Sequence, residues 1–155
     1  MINISKIFST FFYIGFFRWA PGTFGSLIFI FLIYFLFKIF SLIEFIIIFM
    51  ILILISIKLV QVYSDYIKKN DAKEIIIDEF LGLYIIMVFF DYYPIDNDYF
   101  KLSLIFILFR FFDIIKPFPA GWIDQNVKNS KGVIFDDIIA GIYSIMILIL
   151  LNVFI

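Results

Sequence analysis

Long apolar runs alternate with short polar clusters along this chain, and the lengths of the runs predict helices. They cover residues 24–40, 42–63, 75–90, 99–115 and 133–154. In lipid every backbone amide must be satisfied internally, and a helix of about 20 apolar residues does this while crossing the bilayer. Five spanning helices are therefore expected. The first, third and fourth runs are short for a full span, and the third opens on Asp78 and Glu79. Their polar ends are expected in a wet cavity lined by protein. Between the first two runs, Ser41 flanked by Lys38 and Glu44 predicts a tight turn instead of one long helix. Upstream, Ile4, Ile7, Phe8, Phe11 and Phe12 with Lys6, Ser9 and Thr10 between them predict a short helix lying in the membrane interface.

Composition strengthens the membrane reading. Hydrophobic residues make up 65% of the 155 and charged residues 16%, against roughly 45–50% and 25% in soluble domains. A soluble fold of this length has too little interior to hide so much apolar surface. The expected class is all-α, a polytopic membrane helix bundle forming one domain over residues 1–155. No cleavable signal peptide is evident at the N-terminus, which lacks both a basic cluster and a small-residue cleavage site. The 24 phenylalanines fit an AT-rich coding bias and carry no functional reading.

Charge then sets the orientation. Lys6, Arg18, Lys58, Lys68, Lys69, Lys73, Arg110, Lys116, Lys128 and Lys131 fall on the side of the polar clusters, and only Lys38 and Lys101 on the other. The positive-inside rule places the clusters and the N-terminus in the cytoplasm. The acidic loop DYYPIDND, residues 91–98, is expected outside. Net charge is −1 and no basic stripe points to nucleic acid. The sequence is silent on oligomeric state.

The threading brings four motifs to one face: GFFRWAPGTFGS (15–26), IIIDEFLG (75–82), FRFFDIIKPFP (109–119) and KGVIFDDIIAG (131–141). Asp78, Glu79, Asp113, Asp136 and Asp137 then share a membrane depth, where they repel one another unless a cation binds among them. Oxygen ligands without Cys or His select a hard divalent ion, and Mg²⁺ with waters and substrate phosphate is the usual solution. Taken singly, Asp78 or Asp136 is equally explained as a carboxylate favoured at a helix start. Arg110, Asp113 and Lys116 recur about one turn apart. They suit either a grip on phosphate oxygens or an intrahelical salt bridge with Lys116 reaching to headgroups. In APGTFGS, Gly22 and Gly25 permit close backbone approach to an anion at a helix start, although Thr23 or Ser26 as a plain N-cap explains the same residues. Ala140 and Gly141 suggest close helix packing.

Through these four motifs, in order and with Trp122 and Asp124 between the third and fourth, the chain resembles the phosphatidylglycerophosphatase A family over nearly its whole length. Arg18, Gln125 and Ser130 depart from the family's usual residues. The resemblance implies a magnesium-dependent phosphatase of the bacterial inner membrane that converts phosphatidylglycerophosphate, an anionic phospholipid, to phosphatidylglycerol. The absence of His and Cys excludes histidine and cysteine phospho-enzymes, which favours direct attack by a metal-activated water and leaves a covalent aspartyl-phosphate on one of the acids as the alternative route. On this reading Asp78, Glu79, Asp136 and Asp137 hold Mg²⁺. Asp113 completes the acidic site, and Arg110, Lys116, Thr23 and Gly22 receive the phosphate.

Other classes fit less well. A small cation or proton-coupled transporter expects acids near the midplane and often internal repeats, and none is visible. A membrane scaffold leaves the carboxylates unexplained. A phosphatidyl transferase acting on CDP-diacylglycerol needs a different ladder of acids, which is absent.

Overall fold

The computed structural model describes residues 1–70 and 72–151, and every regular element among them is helical. The helices are α1 (Ile2–Ser9), α2 (Pro21–Ile39), α3 (Leu42–Ile67), α4 (Ile77–Met87), α5 (Asp98–Ile115), α6 (Ala120–Asn126) and α7 (Ser130–Leu150). Single 3-10 turns lie at Ile14–Phe16 and Phe90–Tyr92.

Each predicted run has become a helix, but among the described residues only α2, α3 and α7 are long and apolar enough to cross a membrane. Helix α4 has 11 residues, a length of roughly 16 Å against a hydrocarbon core of about 30 Å. It stops where the chain turns through Phe90–Tyr92, and the Tyr93 hydroxyl donates to the Ile86 carbonyl at 2.7 Å. Helix α5 has 18 residues but carries Asp98, Lys101, Arg110 and Asp113. The predicted end of the last run, at Phe154, lies outside the described residues. The seven-residue α6 was not foreseen.

The turn between α2 and α3 forms as expected. Ser41 and Glu44 make a reciprocal cap, the Ser41 amide donating to Glu44 Oε2 at 2.9 Å. Helix α1 forms as well and packs against α3.

Helix α4 is the axis of the bundle. Phe80, Leu81, Leu83, Tyr84, Ile86 and Met87 are all buried, and the helix packs most extensively on α7 and then on α2. The Tyr84 ring stacks on Phe45 with centroids 4.0 Å apart, and its hydroxyl donates to the Phe45 carbonyl at 3.0 Å. The outer helices turn Phe35, Leu54 and Ile107 outward, each at least 60% exposed, as expected of side chains solvated by lipid.

The bundle has two polar ends. At one, Lys38 in the last turn of α2 meets Asp98 in the first turn of α5 at 3.4 Å, and Lys101 donates to the Phe90 carbonyl at 3.2 Å. At the other end are the start of α2, the start of α4, the close of α5 and the start of α7. Exposed Trp19, Phe118 and Trp122 surround that end, as aromatic side chains do at membrane–water boundaries.

Candidate active site

Two glycines bring the acidic helix starts together. A Cβ on Gly82 of α4 would stand 2.7 Å from the Asp137 carbonyl, and one on Gly141 of α7 would stand 2.7 Å from Ile85 Cγ2. Only side chains this small let the two backbones meet, which is the packing role expected of Gly141. One helical turn toward the N-terminus from this crossing, Asp78 and Glu79 on α4 face Asp137 on α7.

The three carboxylates form a compact set. One oxygen each from Asp78, Glu79 and Asp137 lies within 4.8 Å of the others. Asp78 and Asp137 are 7% and 4% exposed. Glu79 Oε2 is buried and accepts no hydrogen bond among the described residues. Three carboxylates cannot share such a space fully ionised unless a cation compensates them. The hard oxygen donors and the unpartnered Oε2 fit a divalent metal of the magnesium type. Asp113 and Asp136 line the same cavity, about 110 Å³ in volume, together with Lys73 and Lys116.

Arg110 and Lys116 are each held by neighbouring acids. Arg110 donates to Asp113 one turn along α5 and lies 3.9 Å from Glu79. The intrahelical bridge considered for this pair is therefore present, and it coexists with a contact into the acid set. Lys116 departs from the predicted stripe. Pro117 disfavours right-handed helix at Lys116, which adopts left-handed backbone with φ 45° and caps α5. Its ammonium leaves the helix face, donating to Asp136 of α7 and to Asp124 of α6 at 2.8 Å. The contacts seen for it are therefore to these two acids and not along the α5 stripe. Burial disfavours the Lys116 charge, but the hydrogen bonds and charges of Asp124 and Asp136 outweigh this and raise its pKa above the ordinary lysine value. Asp124 is also partly desolvated, yet Lys116 holds its carboxyl below the usual range.

The α2 motif differs from its expected form. Pro21 occupies the first helical position, so Gly22 to Ser26 lie inside the helix and not in a loop ahead of it. The N-cap is Ala20 in left-handed backbone without a side-chain cap, so neither Thr23 nor Ser26 plays that part. Gly22 instead gives room to the Glu79 carboxylate, and a Cβ there would lie 3.4 Å from an Arg110 terminal nitrogen. Gly22 thus borders the site from the α2 side. Thr23 is exposed, and neither of the two lines the acid cavity.

Of the acids assigned to a metal, Asp78, Glu79 and Asp137 form the compact set, and Asp136 sits beside them in the hold of Lys116. Two residues absent from the expected site belong to its surroundings. Asp124 had appeared only as part of a motif and Lys73 only as one more basic residue. Both stand outside the helical runs whose periodicity guides the reading of a sequence.

The chain matches the family described as Phosphatidylglycerophosphatase A over residues 7–152. It is 32% identical to Phosphatidylglycerophosphatase A of Haemophilus influenzae over 83% of this chain and 76% of that protein. It is 34% identical to Phosphatidylglycerophosphatase A of Escherichia coli over 83% of this chain and 72% of that protein. No solved structure matches it.

Proposed function

The chain belongs to the phosphatidylglycerophosphatase A family, and on that premise we propose that it is a lipid phosphatase which hydrolyses phosphatidylglycerophosphate to phosphatidylglycerol and inorganic phosphate. The observation that supports this best is the buried set of Asp78, Glu79 and Asp137 at one polar end of an apolar bundle, with lysines beside it. A headgroup phosphate reaches such a site while its acyl chains stay in lipid.

In the proposed reaction a water oxygen attacks phosphorus and the bond to the glycerol oxygen breaks. That oxygen leaves as a hydroxyl, carrying a proton ultimately drawn from the water. Asp78, Glu79 and Asp137, with Asp136 adjoining, would hold Mg²⁺, which supplies positive charge for the phosphoryl oxygens and lowers the pKa of the attacking water. Arg110 and Lys116, each anchored by carboxylates, form a fixed positive wall for the phosphate. Asp113 keeps Arg110 in place, and Gly22 leaves room for the Glu79 carboxylate on the α2 side. Burial of Asp78 and Asp137 excludes bulk water and strengthens every charge interaction within the site. The protein would work at the cytoplasmic face of a bacterial inner membrane, crossing it several times.

Phosphate release by the purified protein from phosphatidylglycerophosphate, beside soluble phosphomonoesters, tests the reading. Release from the lipid well above that from glycerol phosphate is expected. Equal rates on both, or none on the lipid, would defeat it.

A further inference from the structure

The cavity is lined by five carboxylates and two lysines, and among the described residues only one of these lysines is without an acid partner. Lys116 is bound to Asp124 and Asp136, and Arg110, just outside the lining, is bound to Asp113 and lies near Glu79. Lys73 lines the same cavity, is exposed, and has no carboxylate within ion-pair distance among the described residues. Its position is nonetheless fixed. The neighbouring Ala72 and Ile75 are 3% and 4% exposed, the Ile75 amide donates to the Ala72 carbonyl at 2.8 Å, and the Ile76 amide donates to the Ser9 carbonyl at 3.0 Å. The absence of a side chain at Gly15 lets the preceding segment close over the Glu74 carbonyl. Residues 72–76 are thus anchored by these contacts, and they present an exposed, long-stemmed cation at the rim of an acidic cavity.

We propose that Lys73 is a phosphate-binding residue of this site, meeting the phosphomonoester dianion as it enters and holding it in the ground state. This rests on the lipid phosphatase reading. A phosphate arriving from the headgroup region faces carboxylates that repel it, and the anchored cations already satisfy acids of their own. Among the described residues Lys73 is the lining cation that can pair with the phosphate without abandoning a carboxylate. A lysine suits this place because its ammonium is a mobile point charge on a long stem, able to follow the phosphate inward and release the product.

The test compares wild type, Lys73→Gln and Lys73→Arg in mixed micelles. Losing one charged contact to the bound phosphate predicts a KM for phosphatidylglycerophosphate raised about tenfold in Lys73→Gln. Its kcat should stay within about twofold, because the contact is made equally before and during reaction. Lys73→Arg should restore KM to within about threefold. An unchanged KM in Lys73→Gln, a fall in kcat alone, or an Arg variant no better than Gln would each overturn the proposal. Affinity for inorganic phosphate, read by phosphorus NMR line broadening, should weaken about tenfold in Lys73→Gln, and unchanged affinity would also overturn it. Because this second measurement needs no turnover, a wild type inactive on the lipid would defeat the phosphatase reading while still leaving the role of Lys73 decided.

Discussion

Gly141 of α7 packs against the backbone of Gly82 of α4, and each glycine lies one helical turn beyond an acid of the site, Asp137 and Asp78 respectively. The closeness of the helices and the closeness of the carboxylates are thus one feature. Added methyl groups at this crossing would force the helices apart, at roughly 1–3 kcal/mol for overpacking of this kind. Gly141→Val should lower thermal stability in detergent and reduce kcat severalfold or more, while Ile142→Val, at a position 41% exposed, changes neither. Full activity in Gly141→Val would show that the crossing does not set the site.

Asp137 combines deep burial with membership of the compact acid set. Asp137→Asn preserves shape but removes the charge, and it should lower kcat on the order of 10²-fold or more with membrane insertion intact. Asp96, exposed at the opposite end, is the control, and Asp96→Asn should behave as wild type. Similar losses in both variants would refute the site assignment.

Lys116 joins α5 to α6 and α7 through Asp124 and Asp136. Removing the lysine strands a carboxylate that is 3% exposed in Asp136, whereas removing Asp124 leaves that contact standing. Lys116→Met should therefore impair stability and activity more than Asp124→Asn. In a double-mutant cycle the two should couple by about 1 kcal/mol. Additive effects would mean that the pair seen in the structure contributes nothing.

The helical runs were legible because lipid imposes both their length and their apolarity, and the turn at Ser41 because its cap is written in local chemistry. Less legible was which helices are long enough to cross, since α4 is ended by a turn held through Tyr93 and not by any break in apolar sequence. Asp78, Glu79 and Asp137 stood out as charges in apolar runs. Lys116 was visible, but its partner was not, because the left-handed cap after Ile115 turns the side chain off the helical stripe. Lys73 and Asp124 lie outside the runs, on a loop and on a short helix, where a charge is the ordinary expectation and only the fold brings it to the cavity.

Sidedness follows from the distribution of basic residues. In this cysteine-free chain, Gln125→Cys lies on the site side and Asp96→Cys on the other, both at exposed positions. A membrane-impermeant thiol reagent applied to intact cells should label Asp96→Cys and spare Gln125→Cys until the membrane is permeabilised. The reverse pattern would place the acids on the outer face.

The central claim is that a buried carboxylate set makes this bundle a metal-dependent lipid phosphatase, and the most direct measurement is phosphate release from phosphatidylglycerophosphate with and without chelator. Release should vanish in EDTA and return when Mg²⁺ is added in excess, since Asp78, Glu79 and Asp137 lack sufficient protein cations to compensate them. Undiminished release in chelator would contradict the account.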